Sequence, residues 1–151
     1  MTVRFWVGRR VFVNYWIDEI TMSDVNRALL QAKGACALAG PLAGIGILGE
    51  TLKRPSVEIA KKMYVEHAEM RQYHESIHLV PLMSSPFLIS GIKSLVTLGF
   101  YSGTGGKLHY HDSVKEALSK AEEYGPLGMP INDVLSQLER EKIPVGMSKR
   151  A

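Results

Sequence analysis

His74-Glu75-Ser76-Ile77-His78 has the spacing H-E-x-x-H. On a helix that spacing sets two imidazoles on one face to bind zinc and leaves the glutamate to act as a base on the bound water. A zinc-dependent hydrolase with His74 and His78 as metal ligands is therefore one reading of the chain. The helix would have to run through His78, yet Ile77, Leu79 and Val80 suit a strand and lead to Pro81, which biases Val80 towards an extended backbone. A change from helix to strand near Glu75 or Ser76 takes the two rings off a common face. A third protein ligand is also required, and no H-x-x-G-x-x-H extension follows. Coincidence at an element boundary is the plainer reading, with no metal and no cofactor.

Two further clusters and one cysteine invite chemistry. His109 and His111 flank Tyr110, so on a strand both imidazoles share a face. Such a pair can bind a metal, but no carboxylate or cysteine stands at ligand spacing, and polar residues near a strand end are the ordinary case. Ser102-Gly103-Thr104-Gly105-Gly106-Lys107 suggests a phosphate loop. It lacks the Ser or Thr after the lysine, and its glycines precede a strand instead of a helix. Cys36, the single cysteine, lies in an apolar Ala-rich stretch and reads as an inert thiol.

The elements that must position these residues follow from periodicity. Val3, Phe5 and Val7, then Val11, Val13 and Tyr15, alternate around a Gly8-Arg9 turn signal and predict a hairpin. Thr21 and Asp24 have capping-box spacing before a helix carrying Met22, Val25, Leu29 and Ala32. Ile45, Ile47 and Leu48 mark a strand buried on both faces. Ser56 caps a long helix running to about Tyr73, followed by a strand from Ser76 to Leu82, a helix from Ser85 to Gly99 and the strand LHYH. Ser113 and Glu116 cap the last core helix. The order ββαβαβαβα predicts an α/β sandwich with a mixed sheet of about five strands. Residues 1–124 form this domain, and 125–151 read as a linker, a short amphipathic helix through Ile131, Val134, Leu135 and Leu138, and a loose tail.

Length and charge narrow the function. A chain of 151 residues fits one core, and the surplus of 18 basic over 15 acidic residues is too small and dispersed for a nucleic-acid footprint. Arginines interrupt MTVRFWVGRR where a signal peptide needs an apolar stretch, and no apolar run has membrane-spanning length. With one cysteine, a reducing compartment follows, so a cytoplasmic location without membrane contact is expected.

The strand and helix in IHLVPLMSSPFLISGIKSLVTLGF, followed by KLHYHDSVKEALSKA with its D-S-x-x-E-A-L helix start, resemble the STAS and SpoIIAA-like superfamily of anti-sigma-factor antagonists. The resemblance implies a regulatory protein that binds a kinase, an anti-sigma factor or another signalling protein, often switched by phosphorylation. In that family the phosphorylated hydroxyl follows the third strand in an Asp-Ser-x-Gly context. Here Gly49-Glu50-Thr51-Leu52 and Arg54-Pro55-Ser56 stand instead, leaving Thr51 and Ser56 as the nearby hydroxyls. Partner binding survives that departure better than a phospho-switch does.

The long helix carries two apolar stripes. Val57, Ala60, Tyr64 and Ala68 form one, and Ile59, Met63, Met70 and Tyr73 form another roughly opposite. The second stripe needs a cover and is the expected partner-binding surface. Its cover is either the C-terminal helix or the same face of a second copy, and a two-fold dimer is the favoured alternative.

Overall fold

In the computed structural model, residues 3–83, 86, 89–90 and 108–146 are described. The first strands, β1 (Val3–Gly8) and β2 (Val11–Trp16), pair antiparallel across Arg9 and Arg10. Arg9 takes the left-handed conformation, φ 55°, that so short a turn requires. Helix α1 (Met22–Ala39) begins where the Asp24 N–H donates to Thr21 Oγ1 at 3.1 Å, and it ends at Gly40, φ 86°. Strand β3 (Leu42–Leu48) is buried at every position. Helix α2 (Val57–Met70) starts at Ser56, whose Oγ accepts the Ile59 N–H at 3.2 Å. A 3-10 turn over Arg71–Tyr73 then leads into β4 (His74–Pro81).

Strand β5 (Leu108–Tyr110) is followed by α3 (Val114–Ala121), capped by Ser113, and α4 (Ile131–Arg140). The sheet order is β1-β2-β3-β4-β5, parallel from β2 onward, so the fold is the expected α/β sandwich on a five-stranded mixed sheet. The helix expected from Ser85 to Gly99 lies outside the described residues except at 86, 89 and 90. The Ser102–Lys107 connection lies outside them altogether. Among the described residues no helix is long and apolar enough to cross a membrane.

The two faces of β3 explain the layers. Ala43, Ile45 and Ile47 point to a core shared with Val114, Ala117, Leu118 and Ala121 of α3 and Val134 and Leu138 of α4. Leu42 points the other way, to Phe12 and to Ala32 and Ala35 of α1, while Leu48 meets Val25, Leu52 and Met83. Residues after Tyr124 are thus no appendage. Leu127, Val134, Leu138 and Ile143 are buried in the larger core, and Gly146 bridges back to Ser113.

The stripes of α2 are used the opposite way round from expectation. Ile59 and Met63 pack against Ile20, Val25, Leu48, Leu52 and Met83, and Tyr73 packs against the Phe12 cluster. The stripe proposed for a partner therefore lies on the protein's own core, with the Met70 side chain outside the description. It is not covered by α4, which sits on the other side of the sheet. Val57, from the stripe read as inward, is 72% exposed, and Val65 is 62% exposed. Periodicity locates two apolar stripes but carries no sign for which faces the sheet.

Candidate functional site: a histidine cluster beneath α3

Parallel pairing of β4 with β5 sets His78 opposite His109 and Leu79 opposite Tyr110. Alternation then brings His78, His109 and His111 to one face, under α3. His78 is fully buried, at 0% exposure, and Ser76 beside it is 2% exposed. His78 Nε2 lies 2.9 Å from Ser76 Oγ and its Nδ1 lies 3.1 Å from His111 Nε2. The His109 ring stacks on His78 with centroids 5.3 Å apart and 16° between planes. His109 Nε2 hydrogen-bonds the Tyr124 hydroxyl.

Both nitrogens of His78 are thus engaged, and with a neutral ring two proton arrangements satisfy them. Either Ser76 donates to Nε2 and Nδ1–H donates onward to His111, or His111 donates to Nδ1 and Nε2–H donates to Ser76. Burial is what disfavours the charged ring, which could otherwise donate to both partners. Burial is the chief cause that pushes its pKa down to about 3, with His111, His109 and Lys120 adding positive charge nearby. His109 is lowered by burial and Lys120, against Glu123. His111 is lowered by burial first, then by His109, against Glu116 and Asp112.

What this cluster can do chemically is set by access and by ring geometry. Ser76, His78 and His111 line up as hydroxyl, imidazole and imidazole, but a nucleophile must reach its substrate, and Ser76 and His78 are sealed from solvent. Among the described residues no group of three or more His, Cys, Asp or Glu is placed to hold a metal ion. Outside the cluster, His111 reaches an open depression of about 460 Å³ that it shares with Lys115, Glu116, Ser119, Lys120 and Glu123. Its mixed charges favour no single ligand.

The H-E-x-x-H residues are dispersed. They lie on a strand, and the β3–β4 register shifts so that Leu42 pairs with His74 and Ala43 with Ser76, leaving Glu75 as an extra residue. His74 therefore crosses to the α1 side, where its ring lies 6.3 Å from Phe12 and fills the space left by Gly44. A Cβ on Gly44 would come within 2.5 Å of His74 Cδ2. Glu75 turns to the other face, where its carboxylate lies against Gly125 and accepts from Arg10 at 2.9 Å. The pair named as alternative zinc ligands, His74 and His78, is thus divided by the sheet. Thr51 is exposed in the β3–α2 connection and accepts from the Asp18 N–H at 3.4 Å, while Ser56 is exposed at the α2 cap.

Sequence alternation already paired His109 with His111. The meeting with His78, Ser76 and Tyr124 depends on strand order and register, which one strand's pattern does not carry. Comparison with protein-family models, with curated proteins and with solved structures finds no match for this chain.

Proposed function

We propose that the chain is a non-enzymatic regulatory domain of the STAS-like kind, acting in the cytoplasm by binding a signalling protein such as a kinase or an anti-sigma factor. The observation that carries this reading is the outer face of α2. Val57 and Val65 stand exposed there, directly after the Ser56 cap and the Thr51 loop, where the resembled family carries its regulatory hydroxyl. Two apolar side chains two turns apart on one helix suit docking of a partner through that face. A phosphate at Ser56 would meet the positive end of α2, which favours added negative charge and changes the surface offered to the partner. The zinc-hydrolase alternative has weaker support, because His74 and His78 lie on opposite faces of the sheet.

Affinity capture of the full chain from its source cells, beside a Val57→Asp/Val65→Asp variant of unchanged melting behaviour, tests the reading. A specific protein retained by the parent and lost from the variant is the expected result. Stoichiometric zinc with peptidase activity abolished in Glu75→Ala would overturn it, as would capture indifferent to both charges. Ser56→Asp and Thr51→Asp then test the switch: unchanged partner affinity in both removes phosphorylation from the proposal.

A further inference from the structure

The histidine cluster joins three segments that frame one helix. His111 stands two residues before the Ser113 cap of α3, and Tyr124 lies in the turn that ends it, where its N–H donates to the Ala121 carbonyl. Through His111 the entry of α3 is hydrogen-bonded to β4, and through Tyr124 its exit is hydrogen-bonded to β5. The remaining hold on α3 is apolar, through Val114, Ala117, Leu118 and Ala121, with main-chain bonds at its start, where the His111 N–H donates to the Leu79 carbonyl at 2.9 Å and the Val114 N–H to the Val145 carbonyl at 2.8 Å.

We propose that His78, His109 and His111 form an acid-sensitive clasp, which fastens both ends of α3 to the sheet while the imidazoles are neutral and releases the helix when they take up protons.

The geometry gives the mechanism. The bond between His78 Nδ1 and His111 Nε2 needs one of these nitrogens bare; with both rings protonated, two N–H groups and two cations face each other at 3.1 Å. His109 can remain bonded to the Tyr124 oxygen as an imidazolium, but its charge then stacks on His78 at 5.3 Å. Neighbouring charges are divided. Lys120 of α3 opposes protonation of all three rings, whereas Glu116 and Asp112 favour it at His111 and Glu123 favours it at His109. Lys115 lines the same depression as His111, and Glu75 on β4 is already paired with Arg10. Among the described residues no carboxylate lowers the cost at His78, whose charged neighbours are His111, His109 and Lys120. Protons therefore enter most readily when α3 lifts and water reaches His78, which couples helix release to acidity.

Amide hydrogen exchange on the full chain, corrected for the intrinsic pH dependence of exchange, reads this directly. Between pH 8 and pH 5 the protection of Ala117, Leu118 and Ala121 should fall roughly thirtyfold, the ratio expected when His78 titrates normally in the open form and near 3 in the closed one. Protection of Ala28 and Ala32 in α1 should change by less than about threefold. In His111→Gln, a half-buried position, the α3 response should shrink below about tenfold, because a neutral amide replaces the second cation. His78→Gln should abolish the response; should that variant not fold, His111→Gln decides. Equal loss of protection in α1 and α3, an α3 response below about threefold, or a full response in His111→Gln overturns the clasp.

Discussion

Shortening the chain at Tyr124 should unfold it, although composition alone marks the removed part as a dispensable tail. The segment contributes Leu127, Val134, Leu138 and Ile143, all nearly or fully buried, to the core that also holds Trp6, Val11, Ile45 and Val80. Burying such side chains stabilises by about 1.5–3 kcal/mol each, so four contribute about 6–12 kcal/mol before the cost of ordering the segment. A domain of this size has a net stability of about 5–15 kcal/mol. Loss of the segment also uncovers the apolar residues it shields on the sheet and on α3. The single substitution Leu138→Ala isolates the effect: it opens a cavity at a fully buried site and should cost about 2–5 kcal/mol. Urea denaturation followed by far-UV circular dichroism measures both changes, and Trp6, packed in this core, reports exposure through red-shifted fluorescence. A chain ending at Tyr124 that unfolds cooperatively at the parent's urea midpoint would refute the assignment of α4 to the core. So would a Leu138→Ala variant within about 0.5 kcal/mol of the parent.

Three further outcomes follow. His78 has a folded pKa of about 3 against an ordinary value of 6.5, so its contribution is complete above pH 6.5 and lost as pH falls towards 3; stability at pH 5 should be about 2 kcal/mol below that at pH 8, and His78→Gln should flatten this slope in urea titrations. Met63→Ala, at a half-buried site against Leu48 and Leu52, should cost about 1–2 kcal/mol by urea denaturation, whereas Val57→Ala should stay within about 0.5 kcal/mol; the reverse order would place the outward stripe inward. Ser113→Ala removes the buried oxygen that accepts the Glu116 N–H at 3.2 Å and should cost about 1 kcal/mol, with fraying at the start of α3 visible by hydrogen exchange.

The parts of the fold legible in the sequence are those fixed by neighbours along the chain. Thr21, Ser56 and Ser113 accept the N–H three residues on, as their spacing predicts, since a cap is a local hydrogen bond. The continuous apolar run at Leu42–Leu48 announces a strand covered on both sides, and it is the centre of the sheet. Orientation was not legible. Helix α2 offers two apolar stripes, and the inward one also carries Glu66, buried and paired with Lys62 at 2.7 Å. Hydrophobicity alone gives little preference between such faces, so tertiary packing decides. The place of α4 was hidden for a related reason: its stripe of Val134 and Leu138 fits any apolar surface of suitable size, and the glycines at 125 and 128 before it leave its direction open in the sequence.

The histidine chemistry turns on one extra residue. In an uninterrupted strand, His74, Ser76, His78 and Val80 would share a face, and two histidines from H-E-x-x-H would lie beneath α3 together. The register shift at Glu75 breaks that series, sends His74 towards Phe12 and leaves Glu75 to pair with Arg10. Gly44 is what allows it, because any larger residue would occupy the space taken by the His74 ring. With His74 removed, His78 faces a histidine pair whose separation on β5 is set by ordinary alternation, and a buried imidazole acquires two imidazole neighbours with no carboxylate among the described residues to balance them. A spacing that on a helix would assemble a metal site is thereby converted into a neutral, hydrogen-bonded cluster whose stability depends on its remaining unprotonated.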